Sequence, residues 1–163
     1  MRTAELLIAK AERAQVERNS AQAYDDAKRA LELLEQAREA GYPDLEHLNL
    51  RIAQAWLLQG QPRQALAPAY AAAQARPYDV ESRVTHGRLR LSLGEVEAAR
   101  HEFESVLEEF GGDPVANAGL RATALASGEL PLDEDDEIEE GAGREAGAAY
   151  LVAAWELSGS VAE

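Results

Sequence analysis

The chain has 163 residues, of which 46% are hydrophobic, which is enough for one compact domain with a buried core. Its formal net charge of −14 repels phosphate backbones and anionic lipid, so we do not expect nucleic acid or membrane surfaces as partners. The chain has no cysteine, which excludes disulfides, a thiol nucleophile and zinc–thiolate sites.

The N-terminal region has only a short apolar stretch. Residues 6–9 read LLIA and are bounded by Glu5 and Lys10. A secretory signal needs an apolar core of about 7–15 residues, and a membrane span needs about 20. We therefore expect a cytoplasmic protein.

Apolar residues recur with helical periodicity along almost the whole chain, and no segment alternates as a strand would. Glycines and prolines divide this pattern into short elements, with connections of only a few residues, as antiparallel helix hairpins require. The sequence therefore predicts an all-α fold. The predicted helices span 3–18, 21–40, 44–59, 62–75, 79–93, 95–110, 114–127 and 144–157.

Turn glycines show an internal repeat. Gly60, Gly94 and Gly128 follow one another at equal intervals along the chain. The same interval relates Ala53 to Gly87, Ala65 to Ala99, Ala69 to Phe103, Ala72 to Val106, and Pro43 to Pro77. Each unit reads as a helix, a turn glycine, a second helix and a closing proline.

With its period of about 34 residues, this pattern resembles the tetratricopeptide repeat (TPR). The resemblance implies a short right-handed solenoid of antiparallel helix hairpins, with about three repeats and a C-terminal capping helix in one domain. Alanines such as Ala65 and Ala99 are then spacers where two helices cross closely, and Pro77 ends a second helix.

The repeat also predicts the internal boundaries of the domain. These are a divergent first hairpin at 3–43, a second repeat at 44–79, a third repeat at 80–113, a helix of a partial repeat at 114–128, an acidic loop at 129–143 and a C-terminal helix at 144–158. The first hairpin fits only if its second helix runs about one turn longer. Pro68 lies inside a predicted helix and is expected to kink it.

Eight acidic residues crowd the predicted loop: Glu129, Asp133, Glu134, Asp135, Asp136, Glu137, Glu139 and Glu140. The favoured interpretation is a solvated loop extended by its like charges. A calcium loop is an alternative, but Ile138 and Arg144 stand where an EF-hand needs glycine and glutamate. A dock for a basic partner segment is the third interpretation.

The predicted helix at 144–158 is apolar nearly all round and must be covered. It either caps the open end of the repeats or serves as a docking or dimerisation helix through Tyr150, Leu151 and Trp155.

Catalytic patterns are missing from the sequence. The three histidines, His47, His86 and His101, fit helix faces rather than a site. His101-Glu102 begins a zinc-protease string, but Ser105 stands where the second histidine belongs. We therefore expect no enzyme activity, no metal and no cofactor.

The resemblance implies that the first helices of the hairpins line a concave groove that binds a protein segment. The lining is mainly apolar with Arg88 as a central cation, which suits an amphipathic segment with leucine or phenylalanine anchors and basic flanks. The groove residues implied are Leu50, Gln54, Leu57, Leu58, Val84, Arg88, Leu91, Ala118 and Leu125.

The expected function is that of a scaffold or adaptor. The alternative is a small acidic cytoplasmic chaperone for an export or assembly substrate, since length, acidity and three repeats are similar to those of type III secretion chaperones.

Overall fold

A computed structural model describes residues 1–128, and its regular elements there are all helices, which confirms the predicted all-α class for this part of the chain. The helices are α1 (Arg2–Val16), α2 (Ser20–Glu39), α3 (Leu45–Leu58), α4 (Pro62–Ala75), α5 (Val80–Ser92), α6 (Val96–Phe110) and α7 (Pro114–Ala126). None of these helices is long and apolar enough to span a bilayer. The predicted acidic loop at 129–143 and helix at 144–158 lie outside the described residues.

The chain divides into two compact units between Thr85 and His86. In the first unit, α1 packs on α2 and α3 packs on α4, while α3 also contacts α1 and α2. In the second unit, α6 packs on α7. Neighbouring helices along the chain therefore pack against each other, as in a series of helix hairpins.

Several helices begin at side-chain caps. The Asp44 carboxylate accepts a hydrogen bond of 3.0 Å from the His47 backbone N–H at the start of α3. Asp113 accepts from the backbone N–H groups of Val115 and Ala116 at the start of α7. Such caps satisfy N–H groups that have no partner within the helix, and each contributes about 1 kcal/mol.

The predicted turn glycines all have left-handed backbones, with φ of +68° at Gly60, +78° at Gly94 and +75° at Gly128. The Gly60 N–H donates to the Leu57 carbonyl, and the next N–H along the chain donates to the Trp56 carbonyl. These two bonds close the end of α3 in the manner of a Schellman motif, which needs a residue that tolerates positive φ.

Arg18 holds the corresponding position in the first hairpin, with φ of 57°. The interval from Arg18 to Gly60 is longer than the interval from Gly60 to Gly94, because α2 has 20 residues whereas α4 has 14. When the first two hairpins are aligned on this turn, residues 34–39 extend α2 beyond the point at which α4 ends.

The same alignment brings the small residues of the two hairpins into correspondence. Ala23, Ala27 and Ala30 of α2 match Ala65, Ala69 and Ala72 of α4, and all six are buried. Alanine at these positions lets the helices of a hairpin approach closely while removing apolar surface from water. The interpretation of Ala65 as a buried spacer therefore agrees with its place in α4.

Large side chains fill the rest of the first unit. Leu34, Leu48 and Ile52 are buried in a cluster that also contains Ile8 of α1. Among the described residues of the second unit, the largest buried side chain is Phe103 of α6, which lies against Gly87 of α5. A Cβ at Gly87 would lie 2.8 Å from the aromatic ring, so the glycine makes room for it.

Candidate functional site: the face of the first helices

One face of α3 carries the polar residues that join the first helices of the hairpins. His47, Arg51 and Gln54 lie on one side of this helix, since successive residues turn by about 100°. These side chains contact residues of α1 and of the first turns of α5.

Polar side chains of the three helices form a continuous chain of contacts, which we call the first-helix ladder. It consists of Glu5 from α1, His47, Arg51 and Gln54 from α3, and Glu81 and Thr85 from α5. His47 Nε2 lies 2.7 Å from Glu5 Oε1, and a carboxylate acceptor requires the ring proton on Nε2.

Arg51 is the centre of the ladder. Its guanidinium donates from both Nη atoms to the Glu81 carboxylate, and Nη1 also donates to Gln54 Oε1 at 2.8 Å. On the other side, its Nε lies 4.0 Å from Glu5 Oε1. Arg51 is therefore held between two carboxylates on neighbouring helices.

Gln54 is buried within the ladder. Its Nε2 group lies 3.1 Å from Glu81 Oε1 and 3.4 Å from Thr85 Oγ1. Its carbonyl oxygen accepts from Arg51, so both ends of the amide are engaged. A buried amide with both ends paired avoids the desolvation cost of an unmade hydrogen bond and fixes the rotamer.

The turn alignment explains why these residues meet. Glu5 precedes the turn at Arg18 by as many positions as His47 precedes Gly60 and Glu81 precedes Gly94. Arg51 and Thr85 are equivalent one helical turn later. Equivalent residues of helices stacked side by side lie at the same level, so polar residues at these positions contact one another.

Exposure within the ladder is uneven. The side chains of Glu5 and Glu81 are 38% and 48% exposed, whereas that of Arg51 is only 18% exposed. The hydrogen bond from His47, with the charge of Arg51 as a further cause, holds the pKa of the Glu5 carboxyl below its usual value. Two carboxyl groups thus reach solvent, and the guanidinium between them is largely covered.

The predicted groove residues of the first unit are all buried. Gln54 belongs to the ladder. Leu50, Leu57, Leu58 and Val84 are buried, with Leu50 only 3% exposed.

In the second unit, Leu91 and Leu125 are also buried, whereas Arg88 and Ala118 are half-buried. Tyr150, Leu151 and Trp155, the alternative docking residues, lie outside the described residues.

Sequence reasoning missed Glu5 and Arg51. The interval between the turn glycines does not relate Glu5 to His47, because the first hairpin has a different length. The available signal was the pair His47 and Arg51, which are separated by one helical turn and therefore lie on one helix face.

Two other polar clusters tie the helices of hairpins together. Arg76, at the end of α4, donates to Asp44 and to Glu46 at 2.8 Å, and both hydrogen bonds raise its pKa. In the second unit, His86 Nδ1 lies 3.1 Å from Glu102 Oε1. Each cluster joins neighbouring helices, and the described part of the chain, 1–128, contains no group of three or more side chains placed to hold a metal ion.

Comparisons with protein-family models, curated proteins and solved structures give no significant match to this chain. We therefore infer its function from the geometry of the ladder and its surroundings.

Proposed function

We propose that this chain is a non-catalytic interaction module of the TPR type, a scaffold or adaptor that binds a basic segment of a partner protein along the first-helix ladder. The observation that carries the proposal is the pair of partly exposed carboxylates, Glu5 and Glu81, on either side of the covered Arg51. The resemblance of the repeating helix-and-glycine pattern to TPR proteins supports the same class of function.

Charge is the reason for choosing a basic partner. Arg51 carries one positive charge and is already bound by Glu81 and close to Glu5, so two carboxylates exceed one guanidinium. A lysine or arginine of the partner reaches either carboxylate without displacing Arg51. The net charge of the chain, −14, also favours a basic partner over an acidic one.

The predicted apolar lining is buried, so we propose that it supports the binding surface and does not contact the partner. Leu50 and Leu57 are 3% and 7% exposed, so they offer a partner little contact surface and act in packing instead. Recognition then depends on charged groups at the surface of a rigid scaffold. Such contacts govern association rate and specificity more than they govern affinity.

The chaperone alternative has one observation in its favour. Leu66 and Tyr70 lie one turn apart on α4, and both are at least half exposed. A chaperone that shields an apolar substrate needs accessible apolar groups of this kind. A partner that is released before assembly would support the chaperone, and one retained in the final complex would support the scaffold.

The test uses a synthetic amphipathic helical peptide of alternating leucine and lysine turns, with binding followed by fluorescence anisotropy at low and moderate salt. The double variant Glu5→Gln with Glu81→Gln should bind more weakly and with a smaller salt dependence. We expect each lost contact to reduce binding by about 0.2–1 kcal/mol.

The matched control changes two exposed acidic residues of α2, Glu32→Gln with Glu39→Gln, which alters the net charge by the same amount. If both double variants lose the same affinity, the peptide responds only to net charge and the ladder is not its site.

A further inference from the structure

The two exposed carboxylates of the ladder differ in which of their oxygens are occupied. Within residues 1–128, every hydrogen bond and ion pair of the Glu5 carboxylate is made through Oε1, which lies 2.7 Å from His47 Nε2. Arg51 Nε faces the same oxygen at 4.0 Å. Oε2 of Glu5 is therefore the oxygen that is open to a partner.

Glu81 is occupied more heavily than Glu5. Its Oε1 accepts from Arg51 Nη1 and from Gln54 Nε2, the second at 3.1 Å. Its Oε2 accepts from Arg51 Nη2 at 3.2 Å and from no other group in the described part of the chain. A carboxylate oxygen has two lone-pair sites, so Oε1 is saturated and Oε2 keeps one site. Glu81 thus also offers a partner one oxygen rather than two.

Arg51 keeps a second guanidinium away from both Oε1 atoms. It donates to Oε1 of Glu81 and lies close to Oε1 of Glu5. Its side chain is largely covered, and its Nε is buried without a hydrogen-bond partner beside Glu5. A guanidinium of the partner that approached either Oε1 would meet Arg51, and the two like charges would repel each other.

Lysine and arginine bind carboxylates in different ways. The planar guanidinium of arginine gains its advantage by donating two parallel hydrogen bonds to the two oxygens of one carboxylate. The ammonium of lysine is a compact charge with three rotatable donors, and a single oxygen is enough for it. A site with one open oxygen on each carboxylate therefore prevents the two-pronged contact of arginine and suits lysine.

We propose that the first-helix ladder selects lysine over arginine in the basic segment of its partner. This inference rests on the proposed function, because it concerns the same site and names its partner more narrowly. Lysines of the segment reach Oε2 of Glu5 and Oε2 of Glu81, while His47 and Arg51 set the selectivity by occupying the Oε1 atoms. Carboxylates with both oxygens open would instead favour arginine.

The test compares two peptides of equal charge. One is the helical leucine–lysine peptide described above, and the other carries arginine in place of every lysine. Fluorescence anisotropy gives both dissociation constants, and we expect the lysine peptide to bind about threefold more tightly. Because the peptides have the same charge, the general attraction of the acidic chain affects both and does not produce a difference between them.

Replacement of His47 tests the cause of the selectivity. His47→Ala removes the donor to Oε1 of Glu5, so arginine gains access to a second oxygen and its affinity should approach that of lysine. His47→Gln keeps an N–H donor in the side chain and should keep part of the selectivity. His101→Ala, at an exposed histidine of α6, is the matched control and should leave the ratio of the two affinities unchanged. Circular dichroism checks that each variant is folded.

The possible failures of the two proposals are distinguishable. Equal affinities, or tighter binding of the arginine peptide, would overturn the selectivity and leave the ladder as the site, provided that Glu5→Gln with Glu81→Gln still weakens binding. An unchanged ratio in His47→Ala would overturn the role given to His47. Absence of binding, or binding that the double variant does not weaken, would overturn the ladder site itself and the selectivity with it.

Discussion

The ring of Phe103 on α6 fills the space that a side chain at Gly119 on α7 would need. A Cβ at Gly119 would lie 2.5 Å from two ring carbons, closer than any real contact of this kind. One period earlier in the sequence, the equivalent positions hold Ala69 and Thr85. The smaller residue at Gly119 thus compensates for the larger one at Phe103, and Gly87 and Gly119 together leave room for the ring.

We expect Gly119→Ala to lower the free energy of unfolding by about 1–3 kcal/mol, because it overpacks the space beside Phe103. The helix-propensity gain of alanine, about 1 kcal/mol, acts in the opposite direction. Asn117→Ala on the same helix is exposed and serves as the control, which should be neutral or slightly stabilising. Chemical denaturation measures both.

A double variant tests the cause. Phe103→Leu should recover part of the stability lost in Gly119→Ala, so the two substitutions should be strongly non-additive. Additive losses would mean that the ring does not account for the effect of the alanine.

Replacing Arg18 with glycine should stabilise the fold. Arg18 has a left-handed backbone conformation, which is unfavourable for a residue that carries a side chain. We expect Arg18→Gly to raise the free energy of unfolding by up to about 1 kcal/mol and Gly60→Ala to lower it by about 1–2 kcal/mol. Nothing lies within 4 Å of a Cβ at Gly60, so the loss would come from the backbone alone. Arg18→Ala is the control for loss of the arginine side chain and should give no such gain in thermal denaturation.

The spacer alanines give a packing prediction. Ala65 and Ala99 are completely buried, so leucine at either position should overpack its hairpin and lower the free energy of unfolding by about 1–3 kcal/mol. Ala75→Leu lies on the same helix as Ala65 but is exposed, and it should change the denaturation midpoint little. Equal behaviour of the buried and exposed variants would remove the spacer interpretation.

Two carboxyl groups predict how stability depends on pH. His47 donates to both, through its ring to Glu5 and through its backbone N–H to Asp44, and Arg76 adds a further hydrogen bond to Asp44. Their pKa values are therefore lower in the folded chain than in the unfolded chain. The resulting stability is present above about pH 4–5 and is lost as the pH falls through the folded pKa values.

We expect the difference in unfolding free energy between the parent protein and Glu5→Gln or Asp44→Asn to shrink as the pH is lowered from 7 to 3. Asparagine keeps the cap acceptor, so Asp44→Asn reports mainly on charge. Gln36→Ala is an exposed, uncharged control whose difference should stay constant. A difference that stays constant for the carboxyl variants as well would contradict the prediction.

The helices were predictable from sequence because apolar periodicity and turn residues are local signals. Gly60 and Gly94 mark turns that need positive φ, and Pro114 marks a helix start, so the predicted and observed bounds lie close together. The first hairpin was harder, because Arg18 occupies a left-handed position that sequence rules reserve for glycine or asparagine. Because the first hairpin has no glycine at its turn, the sequence alignment of α2 with α4 depends on the alanines alone.

The ladder could not be predicted from periodicity. Arg51 and Glu81 lie on different helices, far apart in the sequence, and their hydrogen bonds depend on how two first helices lie side by side. The sequence placed Gln54 among the groove residues but gave no contact between it and Arg51, Glu81 or Thr85. Contacts between long polar side chains depend on rotamers and helix spacing, which a one-dimensional pattern does not contain.

The longer α2 has a consequence for any attempt to regularise this protein. Shortening α2 to the length of α4 would give every hairpin the same design and would satisfy a consensus sequence. It would also remove Glu35 and Arg38, which line an open recess between α2 and α4 over Trp56 of α3. We therefore expect a consensus-engineered version to keep its helices and to lose this recess. The first two hairpins would then have the same length and would no longer differ at this point.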